Sequence, residues 1–138
     1  MQEVQQRNYI LRMLREQLEI LEDQSSMLEG NLNGINVSLD TLKGLKENPE
    51  KKEQEVIVPL GPNAYTKAFL KDPNKILLYV KNDIVMEKSL GDAIESLEEM
   101  ASNNEEVQEK LKKRTQEINQ QIRQISSGNR RPNIPKNE

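Results

Sequence analysis

The sequence predicts an α+β subunit, a long antiparallel two-helix coiled coil joined by two central β-hairpins that assemble with other subunits into a shared intersubunit sheet or β-barrel. Three observations point there. Apolar residues at both ends of the chain recur at alternating spacings of four and three, the pattern of a helix with one narrow buried stripe. About forty central residues are instead rich in β-branched types and punctuated by Gly-Pro and Asp-Pro turns. The chain is 34% hydrophobic and only 3% aromatic, with Phe69 its single Phe and no Trp, too little for a large globular core.

In the first helix Val4, Leu11, Leu14, Leu18, Leu21, Leu28, Leu32, Ile35, Leu39 and Leu42 share a seam that only Arg7 and Ser25 interrupt. This segment, residues 1–48, ends where Pro49 biases its predecessor out of the helical region. Gly30 and Gly34 each cost roughly 1 kcal/mol relative to alanine. With Ser25 on the seam, they mark the middle of the helix as its weak or bending region.

Residues 49–88 form the oligomerisation body. After a charged connector to Gln54, Val56 to Leu60 reads as a strand in which Pro59 lacks a donor, so the strand lies at an edge or leaves the ladder there. Gly61-Pro62-Asn63 turns the chain into a second strand, Ala64 to Leu70. Lys71 to Asn74 breaks it again. A third strand, Lys75 to Lys81, and a fourth, Ile84 to Lys88, flank the turn Asn82-Asp83.

Ser89 is the expected N-cap of the second helix, residues 89–127, with Asp92 three positions on. Its seam is read as Leu90, Ala93, Leu97, Met100, Val107, Leu111, Ile118 and Ile125, with Asn104, Arg114 and Gln121 as polar members. Ser127-Gly128-Asn129 supplies a stop, and residues 128–138 are expected to be a disordered tail.

Paired in a hairpin, Leu32, Ile35, Leu39 and Leu42 would oppose Leu90, Ala93, Leu97 and Met100 near the strands. Arg7, Arg114 and Gln121 would weaken the seam at the far end, which is expected to splay. Off the seam, Met13, Ile20 and Met27 fall at c of a heptad with Leu11 at a, Tyr9 at f and Ile10 at g. Ile122 lies beside Ile118 and Ile125. Such residues either pack on a neighbouring subunit or contact irregular apolar surfaces, to which methionine adapts readily. Two isolated hairpins are marginal in water, so the strands require other subunits to complete them.

Acids and bases nearly balance, 23 against 20, for a net charge of -3, which argues against nucleic-acid binding as the main role. The basic stretch from Lys110 to Arg131 reads as a solvated helix face; a coiled-coil tether for nucleic acid or membrane would use it. With no Cys and no His, neither thiolate nor imidazole can ligate a metal or serve as a nucleophile, and cytoplasmic residence is expected. No apolar run approaches the roughly 18 residues of a membrane span. Carboxylate pairs such as Glu98-Glu99 and Glu105-Glu106 lie on solvated faces, and Gly61 and Gly91 lack a phosphate-loop context. No enzyme, cofactor, metal or catalytic residue is expected.

The central stretches Val58-Pro59-Leu60-Gly61-Pro62-Asn63-Ala64-Tyr65, Asp72-Pro73-Asn74-Lys75-Ile76-Leu77-Leu78 and Ile84-Val85-Met86-Glu87-Lys88-Ser89-Leu90, leading into Ala93-Ile94, resemble those of archaeal prefoldin α subunits. Two hairpins, where β-type subunits have one, place the likeness in the α class. The resemblance implies a hexamer with β-type subunits, two α and four β, whose hairpins build a double β-barrel platform. It also implies an ATP-independent chaperone whose coil ends hold non-native client proteins and pass them to a group II chaperonin. On this reading Tyr9, Ile10, Met13, Ile20, Ile118, Ile122 and Ile125 are candidate client contacts. The candidate oligomerisation residues are Val56, Ile57, Val58, Leu60, Tyr65, Phe69, Ile76, Leu78, Val80, Ile84 and Met86. The rival reading is a structural or filament-forming scaffold built through the same β regions.

Overall fold

In the computed structural model, which describes residues 2–47 and 54–128, two long helices enclose two small antiparallel hairpins in sequence. The order is α1 (Gln2–Lys46), β1 (Gln54–Gly61), β2 (Ala64–Leu70), β3 (Ile76–Lys81), β4 (Ile84–Lys88) and α2 (Leu90–Gly128). The predicted stop at Pro49, the connector before Gln54 and the tail from residue 129 lie outside the described residues. The 45 residues of α1 make about 65–70 Å of helix. The helix continues through Gly30 and Gly34, and nothing lies within 4 Å of a Cβ built at either. Neither glycine is therefore required by packing. Lys43 and Lys46 in the last turn complement the negative helix end.

β1 and β2 pair from Gln54↔Leu70 to Pro59↔Tyr65, then shift register before Gly61↔Ala64. Pro59 thus stays in the pairing and the irregularity follows it. Gly61, at φ 156°, takes a backbone conformation that L side chains rarely adopt. β3 and β4 pair from Ile76↔Lys88 to Tyr79↔Val85 and shift before Lys81↔Ile84. Asn82 and Asp83 close that hairpin at φ 47° and 65°, the paired positive angles of a type I′ turn, which Asn and Asp tolerate.

The start of α2 is capped twice. Ser89 Oγ accepts the Asp92 N–H at 3.2 Å, as the sequence predicts. Asn74 Oδ1 also accepts the Leu90 N–H at 3.0 Å, across sixteen residues. Asn74 is itself held by its own N–H bonding Asp72 Oδ1 at 3.0 Å, and the Lys75 N–H reaches the Asp72 carbonyl at 3.2 Å. The Asp-Pro-Asn turn therefore fixes where α2 begins.

Backbone contacts separate the chain into two compact units, residues up to 32 with those from 103, and residues 33–102. In the second unit Leu39, Leu42, Ala93, Ile94, Leu97 and Ala101 are buried. Lys43 pairs with Glu98 at 3.4 Å, and Lys88 Nζ donates to Ser96 Oγ at 3.0 Å. In the first unit Leu11, Leu14 and Ile118 are buried, together with Asn104.

The α1 seam matches its expectation from Leu11 to Leu42, with Arg7 and Ser25 half-buried on it. The α2 seam keeps the expected Ala93, which is fully buried, but beyond it differs in one of its two rows. Leu90, Leu97, Asn104, Leu111, Ile118 and Ile125 lie on it, but the second row is Ile94, Ala101, Gln108, Thr115 and Ile122. Met100 and Val107 stand 40% and 43% exposed, and Arg114 and Gln121 are also outside the seam. Counting apolar residues favours the row with Met100 and Val107, three positions after each shared residue. The packed row lies four positions after and tolerates Gln108 and Thr115.

Candidate functional site

Two kinds of surface are candidates. On the first hairpin the pairing places Glu55, Ile57, Pro59, Tyr65, Lys67 and Phe69 on one face and Gln54, Val56, Val58, Thr66, Ala68 and Leu70 on the other. The second face is partly covered, with Val56, Ala68 and Leu70 half-buried. The first is open: Ile57, Tyr65 and Phe69 are each about two-thirds exposed, and Lys67 meets Glu55 at 3.7 Å. Leu60, beside the register shift, is also exposed.

On the second hairpin Ile76 and Leu78 are half-buried, while Met86 on the same face and Ile84 at the turn are exposed. Val80 lies in β3. The opposite face exposes Leu77, Tyr79 and Val85, which the sequence reading does not select. Strand parity was the available signal. In a hairpin whose two faces are both apolar, the residues between the chosen ones form a second surface.

The other candidate is the coiled coil of the first unit. Tyr9, Ile10, Met13 and Ile20 of α1 are all exposed, and Arg12 sits 5.9 Å from the Tyr9 ring centroid. The three α2 candidates lie elsewhere. Ile118 is 0% exposed, and Ile122 and Ile125 are half-buried on the seam, so packing the coil occupies them. Ile122 in particular is a seam residue rather than a flanking one. The sequence expectation is that this end splays or frays; Leu11, Leu14 and Ile118 are buried, so the seam is closed at their level, while Val4 nearer the end is 43% exposed.

The polar lapse lies further along. Asn104 Nδ2 donates to the Leu28 carbonyl at 2.9 Å, and Gln108 Nε2 donates to Asn104 Oδ1. Half-buried Ser25 and Thr115 lie in the same stretch. On one flank a groove is bordered by Glu22, Glu105, Glu109 and Lys112 beside Ser25 and Thr115. On the other, Gln17, Ile20, Leu21 and Gln24 line a groove with Arg114 and Ile118. Among the described residues no group of three or more carboxylates converges as a metal site would need. No described helix is long and apolar enough to cross a membrane.

The family model for prefoldin subunits matches residues 14–132, most of the chain. The chain belongs to the prefoldin family. It is 28% identical over 130 residues to prefoldin subunit alpha of Methanospirillum hungatei, covering 89% of this chain and 85% of the relative. It is 27% identical over 128 residues to prefoldin subunit alpha of Pyrococcus horikoshii, covering 88% and 86%. It is 25% identical over 117 residues to prefoldin subunit alpha 1 of Methanocaldococcus jannaschii, covering 85% and 78%. Among solved structures, a cryo-EM structure of filamentous prefoldin from Methanocaldococcus jannaschii matches with a TM-score of 0.70 at 23% identity, covering 87% of this chain and 98% of that one. That likeness shares the prefoldin fold of paired helices around two hairpins. This prefoldin is an alpha-type chaperone subunit, non-enzymatic, of a family that assembles from several subunits. Assembly gives a physical reason for two hairpins that each leave an apolar face open among the described residues.

Proposed function

We propose that this subunit works in a cytoplasmic hexamer of two α and four β-type subunits that holds non-native proteins without ATP and passes them to a group II chaperonin. The observation that carries this reading is the exposed cluster Tyr9, Ile10, Met13 and Ile20 on α1, beside a coil end whose own seam is already closed by Leu11, Leu14 and Ile118. Those four side chains stay 40–57% exposed beside the packed seam, which leaves apolar surface available to a client. The hairpin faces bearing Ile57, Tyr65 and Phe69, and Leu77, Tyr79 and Val85, supply the assembly contacts. The α2 residues Ile118, Ile122 and Ile125 support the coil end rather than contact clients.

The test converts Tyr9, Ile10, Met13 and Ile20 together to Ser in the full chain, assembled with a β-type partner. Light scattering should give an unchanged mass near six subunits, and suppression of aggregation of an unfolding protein without ATP should be largely lost. Full protection by the variant would remove these residues from client binding. Open-ended polymers of this chain alone, with no protection, would favour the scaffold reading instead.

A further inference from the structure

One flank of α1 is free of charge well beyond the coil end. With Leu11 at a, the c and g positions between residues 6 and 31 hold only Ile, Met, Gln and Asn, while every charged residue from Arg12 to Glu29 falls at b, e or f. Two grooves among the described residues of the first unit follow this division. Gln17, Ile20 and Gln24 line a groove whose only charged member is Arg114, whereas Glu22, Glu105, Glu109 and Lys112 border the other.

We propose that the client-contact surface of this subunit is the uncharged flank from Ile10 to Met27, and that it takes extended, non-native polypeptide segments of low charge. The proposal rests on the holdase reading and extends it from the coil end along the helix. The density of apolar residues selects the occupant. Ile10, Met13, Ile20 and Met27 are 40–69% exposed. Together they offer on the order of 400 Å² of apolar surface, a usual monomer patch. A stable interface buries roughly 800 Å² on each partner, about twice as much.

A permanently docked helix or second copy would also require two apolar residues per heptad, as the seam has. The c row supplies one. After Ile10, the neighbouring g row supplies Gln17, Gln24 and Asn31 instead. Primary amides both donate and accept, which matches the backbone N–H and C=O groups that an unfolded chain has not yet paired. Met13 and Met27 adapt to whatever side chain arrives, and the α1 flank itself adds no charge beside Arg114 of the groove, which suits a segment of low charge. Each contact is weak, and several coils engaging one client would multiply it.

The test uses the full chain in its assembled form, with guanidinium-unfolded citrate synthase as probe. One variant carries Gln17→Glu, Gln24→Glu and Met27→Ser, leaving Tyr9, Ile10, Met13 and Ile20 intact. A control carries Glu22→Gln and Glu29→Gln on the charged flank. The flank variant should need about tenfold more chaperone for half-protection, a loss equivalent to one decade of affinity. The control should match the unaltered protein, and both should keep its mass. Normal protection by the flank variant, with protection lost only on replacing Tyr9, Ile10, Met13 and Ile20, would confine contact to the coil end and overturn the proposal. A changed mass in the flank variant would make the flank an interface between copies, which also overturns it. No protection by the unaltered assembly would instead refute the holdase reading itself.

Discussion

Asn104 offers a direct test of how the coil is specified. It is 9% exposed on the α2 seam, donates to the Leu28 carbonyl at 2.9 Å and accepts from Gln108. Replacing it with Leu removes both hydrogen bonds: the one to the Leu28 carbonyl is worth about 1 kcal/mol net, and the one from Gln108 less, since water can take its place. The Leu28 carbonyl keeps the helical bond from the Leu32 N–H, since a carbonyl has two lone pairs, so it is not stranded. Half-buried Gln108 can turn its amide to water. Against this, a fully buried leucine contributes about 1.5–3 kcal/mol. Asn104→Leu should therefore stabilise the chain by about 1 kcal/mol, while Asn104→Ala, which loses the bond and most of the packing, should cost about 1–2 kcal/mol. Guanidinium unfolding followed by far-UV circular dichroism at fixed protein concentration reads both as midpoint shifts. A lower midpoint for Asn104→Leu with an unchanged slope would refute the reasoning, because the polar pair would then outweigh apolar burial. If the estimate holds, the function of Asn104 is to specify register: its amide meets that carbonyl in only one alignment of the helices.

Removing the caps should loosen the start of α2. Ser89→Ala and Asn74→Ala should each cost about 1 kcal/mol in denaturant midpoint, and Asn74→Ala should also raise hydrogen exchange at Leu90. Replacing Leu77, Tyr79 and Val85 with Thr, which preserves strand preference while removing apolar surface, should lower the mass of the assembly by light scattering without unfolding α1 or α2. In native-state exchange, α2 amides from Asn104 to Thr115 should open at lower free energy than those from Ala93 to Ala101, where the seam is apolar; equal protection would contradict a graded seam.

Much of this architecture was legible because its signals are local. The α1 seam could be read residue by residue, since its leucines leave one row available on each side. The turns at Pro62-Asn63 and Asn82-Asp83 and the cap at Ser89 each rest on chemistry within four residues. What could not be read depended on the partner element. On α2 the shared row of Leu97, Asn104, Leu111 and Ile118 is flanked by two candidate rows, and only packing against α1 chooses Ala101 and Thr115 over Met100 and Arg114. The second cap on Leu90 comes from Asn74, sixteen residues away, and no helix-start pattern reaches that far. The open face of the second hairpin was missed for a related reason, since which face lies against the chain and which is open is set by tertiary packing.

The row chosen on α2 changes where the coil is weak. With Met100, Val107, Arg114 and Gln121 on the seam, polarity would accumulate toward the chain ends, and opening there would expose isoleucines to clients. The packed row instead places Gln108 and Thr115 with Asn104 and Ser25 in one polar band. On one side of that band in sequence lie Ala101, Leu97 and Ala93; on the other lie Ile118, Leu11 and Leu14, all buried. A coil end closed in this way can present Tyr9, Ile10, Met13 and Ile20 on its outer surface without separating its helices. On the holdase reading, client contact then needs no opening step, and the cost of exposing Ile118, which would forfeit several kcal/mol of packing, is avoided. On that reading, affinity is limited by the small area of an outer flank, which favours release of a bound segment.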